Sequence, residues 1–243
     1  MTASARKAAT LDSRIAGLPW AAIADDLDAH GHATTGPLLT PAECRGLVSL
    51  YDRDKPFRRR IVMQQHGYGQ GEYRYFAYPL PDLVATLRAA LYLRLAETAN
   101  RWRTMLGDEG RFPSTLEAFL ADCHAAGQIR PTPLLLRYGP GDFNCLHQDL
   151  YGERVFPLQL TILLNDPEAD FTGGEFLVVE QRPRRQSIAE VVTLRQGEAV
   201  IFAVRERPVV GSRGAYRAML RHGVSRLRSG HRMTLGIIFH DAA

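Results

Sequence analysis

The stretch "DFNCLHQDLYG" sets His147 and Asp149 one residue apart. An imidazole and a carboxylate at that spacing converge on one cation where a strand ends and the chain turns, but a cation held this way needs a third ligand. Two histidines and one carboxylate would leave coordination positions open on Fe(II) for a co-substrate and for O2. His30, His32, His66 and His124 fall in helical segments or their loops, where contact with solvent accounts for them; His222, His231 and His240 fall in the last strand-like runs. His222 is followed ten residues later by Arg232, at the head of a strand. A dicarboxylate chelated to a metal needs a fixed cation for its far carboxylate, and an arginine meets it with two parallel hydrogen bonds. That pairing favours His222, and leaves His231 as a turn residue and His240 as a strand-end residue.

Period-two alternation puts Arg232, Thr234, Gly236 and Ile238 on one face of the last strand, with Met233, Leu235, Ile237 and Phe239 on the other. An inward Arg232 would require an acidic guest or an acidic neighbour, because a buried unpaired guanidinium is costly. The alternative is an outward arginine in solvent.

These residues need a scaffold. From residue 132 the chain reads as short β-rich runs separated by turn residues: "TPLLLRY", "FPLQLTILL", "GEFLVVE", "EVVTLR", "EAVIFAV", "YRAMLRHGV" and "RMTLGIIFH". Before it the pattern is helical. Two helices lie between Leu18 and about Tyr51, broken at "HGHATTGPLL", and the second opens on a capping box of Thr40 and Glu43 with Pro41 at its first position. "DLVATLRAALYLRLAETANRWRTML" is a long amphipathic helix with Leu83, Leu87, Leu91, Leu95, Trp102 and Leu106 as core candidates, and "TLEAFLADCHAAG" is a shorter one. Strands after helices point to an α+β sandwich or barrel with helices on one face, in a single domain of 1–243 with a helical support and lid over 1–131 and a β core over 132–243.

Composition narrows the setting. At 243 residues and 45% hydrophobic content one sizeable core is expected. No apolar run approaches a membrane span, and "MTASARKAAT" followed by Asp12 and Arg14 is not a signal peptide, so a cytoplasmic location is expected. Its early Arg, Lys, Ser and Thr leave an organelle-targeting segment as the lesser alternative. Cys44, Cys123 and Cys145 form no CxxC pair, which suits a reducing compartment. The net charge of +4 rests on 28 arginines against Lys7 and Lys55 alone. Arginine suits phosphate contacts, although lopsided arginine use also follows from genome composition.

The Arg-, Gly- and Tyr-rich stretch "RRRIVMQQHGYGQGEYRYFAYPLPDL" is too rich in glycine and proline for one regular element. Tyr68, Tyr73, Tyr75 and Phe76 offer stacking surfaces, and Arg58, Arg59, Arg60 and Arg74 offer phosphate contacts. The alternative is that the aromatics pack the loop down and the arginines are solvated. Arg182, Arg184 and Arg185 form a second basic set in a hairpin loop.

Taken in order, Tyr138, the His147–Asp149 pair, "TGGEF", "RQGEAVIF", His222 and Arg232 resemble the Fe(II)/2-oxoglutarate dioxygenase superfamily over residues 132 to 240. The resemblance implies a double-stranded β-helix, or jelly roll, and Fe(II), 2-oxoglutarate and O2 as cofactors. It implies that His147, Asp149 and His222 hold iron, that Arg232 binds the distal carboxylate of 2-oxoglutarate, and that Tyr138 hydrogen-bonds it, with Thr234 on the same face as Arg232. "LRYGPGDFNCLHQDLYG" is similar to the corresponding segment of AlkB-type nucleic-acid demethylases, and the Arg/Tyr-rich stretch is similar to their nucleotide-recognition lid. That likeness implies oxidative demethylation of alkylated bases in single-stranded or damaged nucleic acid, a DNA-repair role. Two features depart from it: Leu136 stands where those proteins have Asn, and their C-terminal arginine pattern is absent. The step from His222 to Arg232 and the "GGEF" strand look instead like the prolyl-hydroxylase branch, so a protein or peptide hydroxylase is the alternative, and a non-catalytic jelly-roll binding module a more distant one.

Overall fold

The computed structural model describes residues 9–167, 169–212 and 214–243. The opening "MTASARKA", read above for targeting signals, lies outside the described residues. In chain order the elements are α1 (Leu11–Ala16), α2 (Trp20–His30), β1 (His32–Pro37), α3 (Pro41–Leu50), β2 (Phe57–Val62), β3 (Gly69–Gln70), β4 (Glu72–Phe76), α4 (Asp82–Leu106) and α5 (Leu116–Ala125). They continue with β5 (Leu134–Tyr138), β6 (Phe143–His147), β7 (Leu158–Leu163), β8 (Phe171–Gly173), β9 (Phe176–Gln181), β10 (Ile188–Val192), β11 (Glu198–Ala203), β12 (Glu206–Gly211), β13 (Gly214–Val224), β14 (Leu227–Gly230) and β15 (Arg232–Ile238).

Two antiparallel sheets make the sandwich expected from the strand pattern, in the jelly-roll form that the family resemblance implies. One has seven strands in the order β1-β11-β7-β15-β5-β4-β2. The other runs β10-β9-β13-β6-β3, with β12 added on β13, and a small β14-β8 pair stands apart. The face of the large sheet turned away from the other sheet packs on the helices in one continuous core, in which Leu160, Ile162, Ile201, Leu235 and Ile237 are almost wholly buried. At about 25 cal/mol per Å² of apolar area removed from water, this interior supplies most of the drive to fold.

The helices form where caps and periodicity place them. Thr40 accepts a hydrogen bond from the Glu43 amide, and Glu43 accepts from the Thr40 amide at 2.7 Å, completing the capping box that starts α3. Along α4, Leu87, Leu91, Leu95 and Trp102 are buried, while Leu83 and Leu106 are only partly covered. No helix of the described residues is long and apolar enough to cross a membrane.

The N-terminal half is less purely helical than its pattern. The break "HGHATTGPLL" contains β1, which pairs with β11 at the edge of the large sheet. The Arg/Tyr-rich stretch is a hairpin, β2 and β4, that extends the same sheet past β5, with Arg59 opposite Tyr75 and Ile61 opposite Tyr73. Between them the chain crosses to the other sheet, where β3 pairs with β6. The stretch therefore ties both sheets together at one end of the roll. Gly71 makes this possible: it has φ +116°, and a Cβ there would lie 2.9 Å from the ring of Tyr138.

Candidate active site

β6 ends at His147, and β13 brings His222 directly opposite it in register. Asp149 follows two residues on, so a strand end and a cross-strand partner together build the cluster that "HQD" alone left incomplete. Asp149 Oδ1 lies 3.5 Å from His147 Nε2, and Oδ2 lies 3.2 Å from His222 Nε2. The three donor atoms lie within 4.8 Å of one another, a spacing one metal ion can bridge.

Each donor is oriented by a different device. His147 Nδ1 lies 2.8 Å from the Cys145 carbonyl, which fixes the proton there and leaves Nε2 free to ligate. His222 is held by packing, between Phe202 with ring centroids at 4.6 Å and Phe176 stacked at 5.9 Å. The Asp149 carboxylate accepts from Tyr151 Oη at 2.7 Å on one oxygen and from Gln159 Nε2 at 2.8 Å on the other.

Burial alone would raise the Asp149 pKa, but the hydrogen bonds and charges of His147 and His222 hold it well below the usual carboxylate value. For His147 burial pulls the pKa down, and the hydrogen bond and charge of Asp149 more than reverse it, so the imidazole protonates above its ordinary 6.5. His222 is lowered by burial and by His147. Only a neutral imidazole binds metal, so acidification through the raised His147 value should protonate the site and expel the ion. Co(II) titrations at about pH 8 and about pH 6 should show affinity falling at the lower pH. Equal affinity would remove His147 from the ligand set.

The cluster opens into a cavity of about 660 Å³, the size range of small-molecule sites. On its floor Arg232 and Tyr138 are paired across β15 and β5, with the guanidinium 5.7 Å from the ring centroid. Arg232 is 3% exposed, and its Nη1 and the Tyr138 hydroxyl are buried without hydrogen-bond partners among the described residues. Burial lowers the Arg232 pKa, opposed by Tyr138 and Glu175. Glycine at 174, with φ +68°, lets the arginine lie flat here, since a Cβ would come within 3.0 Å of Arg232 Cδ. Thr234, also buried, lines the same wall. A buried guanidinium and a buried phenol with unspent donors, beside a two-histidine, one-carboxylate cluster, fit an acid chelated to metal at one end and held by Arg232 at the other.

Of the lid residues, Arg58, Arg59, Tyr68, Tyr73 and Tyr75 line this cavity. A bulge between Phe57 and Arg59 lets both Arg58 and Arg59 reach it, and Arg58 lies 4.5 Å over the Tyr75 ring. Arg60 and Arg74, expected to contact substrate, do not line it. They sit opposite each other on the outer face of the hairpin, where Arg60 pairs with Glu72 and Arg74 with Asp54 at 3.1 Å. Period-two alternation explains the difference, since it turns Arg60 and Arg74 away whenever Tyr73 and Tyr75 face in. Phe76 is packed in the core. Arg182 pairs with Glu180 in the β9–β10 hairpin, and the basic loop does not line the cavity. His231 is exposed, whereas His240 is fully buried, with its pKa pushed down to about 4 by burial.

Sequence reasoning did not find Arg130, Asn144, Tyr151 and Gln159, which also line the cavity. Tyr151, two residues past Asp149, carried a local signal; Arg130 and Gln159 are placed only by tertiary structure.

A family model described as an oxygenase catalysing oxidative methylation of damaged DNA matches residues 71–242, which include every residue of this cluster. The chain belongs to this oxygenase family. Two uncharacterized proteins from Mycobacterium tuberculosis, of strains CDC 1551 / Oshkosh and ATCC 25618 / H37Rv, are each 51% identical over 191 residues, 76% of this chain and 82% of theirs. Among solved structures, a Pseudomonas putida prolyl-4-hydroxylase is similar with a TM-score of 0.53 and 16% identity, covering 89% of this chain and 96% of that one. An oxidoreductase of the 2OG-Fe(II) oxygenase family from Burkholderia pseudomallei gives the same TM-score and identity, covering 92% of each chain. These two establish the fold. The His-Asp-His donor set and the unspent Arg232 and Tyr138 fit an oxygenase whose cofactors would be Fe(II), 2-oxoglutarate and O2.

Removing the cation from the floor should strike the co-substrate and spare the metal. Arg232→Gln is expected to raise the KM for 2-oxoglutarate by at least about 30-fold, the loss of a charge-assisted pair. Co(II) affinity should stay within about threefold. An unchanged KM in succinate-release assays would place the co-substrate elsewhere.

Proposed function

We propose that this oxygenase removes alkyl groups oxidatively from bases of single-stranded or damaged nucleic acid, a repair activity. The observation that carries this reading is the charge and chemistry of the cavity: Arg58, Arg59, Arg130 and Arg232 line it, Asp149 is the single acidic side chain among its described residues, and Tyr68, Tyr73 and Tyr75 add flat ring surfaces. Such a pocket suits a polyanion with an aromatic guest. Tyr68, half exposed and stacked on His66 at 5.3 Å, offers a ready platform at the mouth.

In this reading His147, Asp149 and His222 hold Fe(II), and Arg232, Tyr138 and Thr234 bind 2-oxoglutarate. With both bound and O2 as the oxidant, the centre would supply oxidation of a C–H bond, one oxygen atom entering the substrate as a hydroxyl and the other entering the succinate formed, with CO2, from 2-oxoglutarate. The protein's own part is positional. Gln159 and Tyr151 hold the carboxylate, Phe176 and Phe202 keep water from His222, and Tyr73 and Tyr75 present the base. A hydroxylated N-methyl group collapses to formaldehyde and the free base, so this chemistry removes methyl groups. We further infer that residues 1–243 act as one unit and that the three free cysteines suit a reducing, cytoplasmic setting.

Binding of a fluorescent single-stranded oligonucleotide carrying N-methylated bases tests the reading. Arg59→Ala and Arg130→Ala are each expected to weaken binding across all sequences and to reduce the salt slope by about one. Formaldehyde should be released in step with succinate. No release from any methylated oligonucleotide, with a single added oxygen appearing on a peptide instead, would favour a peptide hydroxylase.

A further inference from the structure

Two hydroxyl groups stand between the cavity wall and the carboxylate of Asp149. Tyr75, on β4, donates to Tyr151 Oη at 3.1 Å, and Tyr151 donates to Asp149 Oδ1 at 2.7 Å. The rings of Tyr75 and Tyr151 meet edge-on at 6.2 Å, and Tyr73 meets Tyr75 edge-on at 5.3 Å. A phenol has one proton, so donation from Tyr151 to the carboxylate leaves its oxygen to accept, and Tyr75 must be the donor to it. Burial raises the pKa of both hydroxyls, and the charge of Asp149 adds to this, so both remain protonated. The other carboxylate oxygen is served by Gln159, from β7, a strand that does not pair with β4.

We propose that Tyr75 and Tyr151 are positioning residues forming a relay that ties the metal-binding carboxylate of Asp149 to β4, the strand that walls the substrate cavity. It rests on Asp149 being a metal ligand. A charge-assisted hydrogen bond draws electron density from the carboxylate and fixes which oxygen faces the ion. That bond is strengthened when the donor itself accepts one, because bonds in a chain polarise one another. Tyr75 therefore sets the strength of the Tyr151–Asp149 bond without touching Asp149. A guest that shifts Tyr75 or accepts its hydrogen bond weakens that bond, and the carboxylate is held less firmly toward the ion. Arrival at the cavity wall is thus felt at the metal through hydroxyl groups of this chain.

The test uses Co(II) added to the metal-free full chain, read by affinity and by its visible spectrum, in wild type, Tyr75→Phe, Tyr151→Phe and the double variant. Tyr151→Phe should change Co(II) affinity by about tenfold, as loss of a hydrogen bond to a metal ligand does. Tyr75→Phe, one bond further out, should change it by about threefold and shift the visible bands. The double variant should match Tyr151→Phe alone, since the outer link acts only through the inner one. Tyr75→Phe combined with Gln159→Leu should instead give additive losses. Tyr75→Phe with wild-type affinity and spectrum, or simple additivity of Tyr75→Phe and Tyr151→Phe, overturns the relay. A wild type that binds no Co(II) overturns the ligand assignment, and the relay with it. If Tyr151→Phe does not fold, the spectral shift of Tyr75→Phe still decides, because that variant keeps the buried ring and loses only the hydroxyl.

Discussion

Asp149→Ala is expected to abolish metal binding and, with it, succinate formation. The side chain is the hinge of the cluster: it lies 3.5 Å from one imidazole nitrogen and 3.2 Å from the other, and it is the single acidic side chain among the described residues of the cavity. Changing a group that merely orients a ligand commonly costs about 10–100-fold in metal affinity, so removing a ligand that also supplies the charge should exceed about 100-fold. The variant leaves two imidazoles with ring centroids 4.2 Å apart and no counter-ion between them. Tyr151 and Gln159 lose their acceptor as well, which leaves buried donors unpaired. Co(II) titration followed by succinate measurement checks this, and folding is verified by far-ultraviolet circular dichroism. Turnover within about tenfold of wild type would show that the cluster is not the metal centre.

The cluster was legible because it uses sequence-local and periodic signals. His147 and Asp149 are neighbours, Arg232 follows from alternation on a strand that reads cleanly, and His222 follows from pairing it with Arg232. All four line one cavity. The lid was legible only in part. Tyr73 and Tyr75 share a face with Ile61, so treating the stretch as an irregular loop hid the alternation that sends Arg60 and Arg74 to the opposite side. β1 went unread because "HATTGP" is short and polar, and its strand exists only through its partner β11. Gln159 sits in a run that reads as pure hydrophobic strand, and no local pattern marks it as the donor to Asp149. Buried polar groups whose partners are distant in sequence leave no periodic trace.

Arg88 shows this most clearly, and it carries the second large expected effect. Position 88 lies on the buried stripe of the long helix α4, four residues from Val84 and from Tyr92, where the pattern predicts an apolar side chain and gives no sign of the partners a charge there would need. Yet Arg88 is 1% exposed, donating to the Ile238 and Phe239 carbonyls at 2.9 Å each and to Asp241 Oδ1 at 2.8 Å. Asp241, fully buried, also accepts from Tyr78 at 2.9 Å and lies 2.9 Å from His124 Nε2. Arg88→Met keeps the length and apolar stem of the side chain but strands Asp241 without its guanidinium and takes a donor from the Ile238 and Phe239 carbonyls, of which Ile238 keeps the Thr132 hydroxyl at 3.3 Å. Breaking one half of such a buried pair costs about 3–5 kcal/mol, whereas replacing both halves is often near neutral. Urea unfolding should therefore show a loss of that size for Arg88→Met and substantial recovery in Arg88→Met with Asp241→Asn. The site should feel the change too. Ile238 ends β15, whose inward face begins at Arg232, so loosening that end should raise the KM for 2-oxoglutarate in the single variant while Arg232 itself is untouched. A loss below about 1 kcal/mol, the range of a surface ion pair, would mean that the helix and the strand end are held by apolar packing alone.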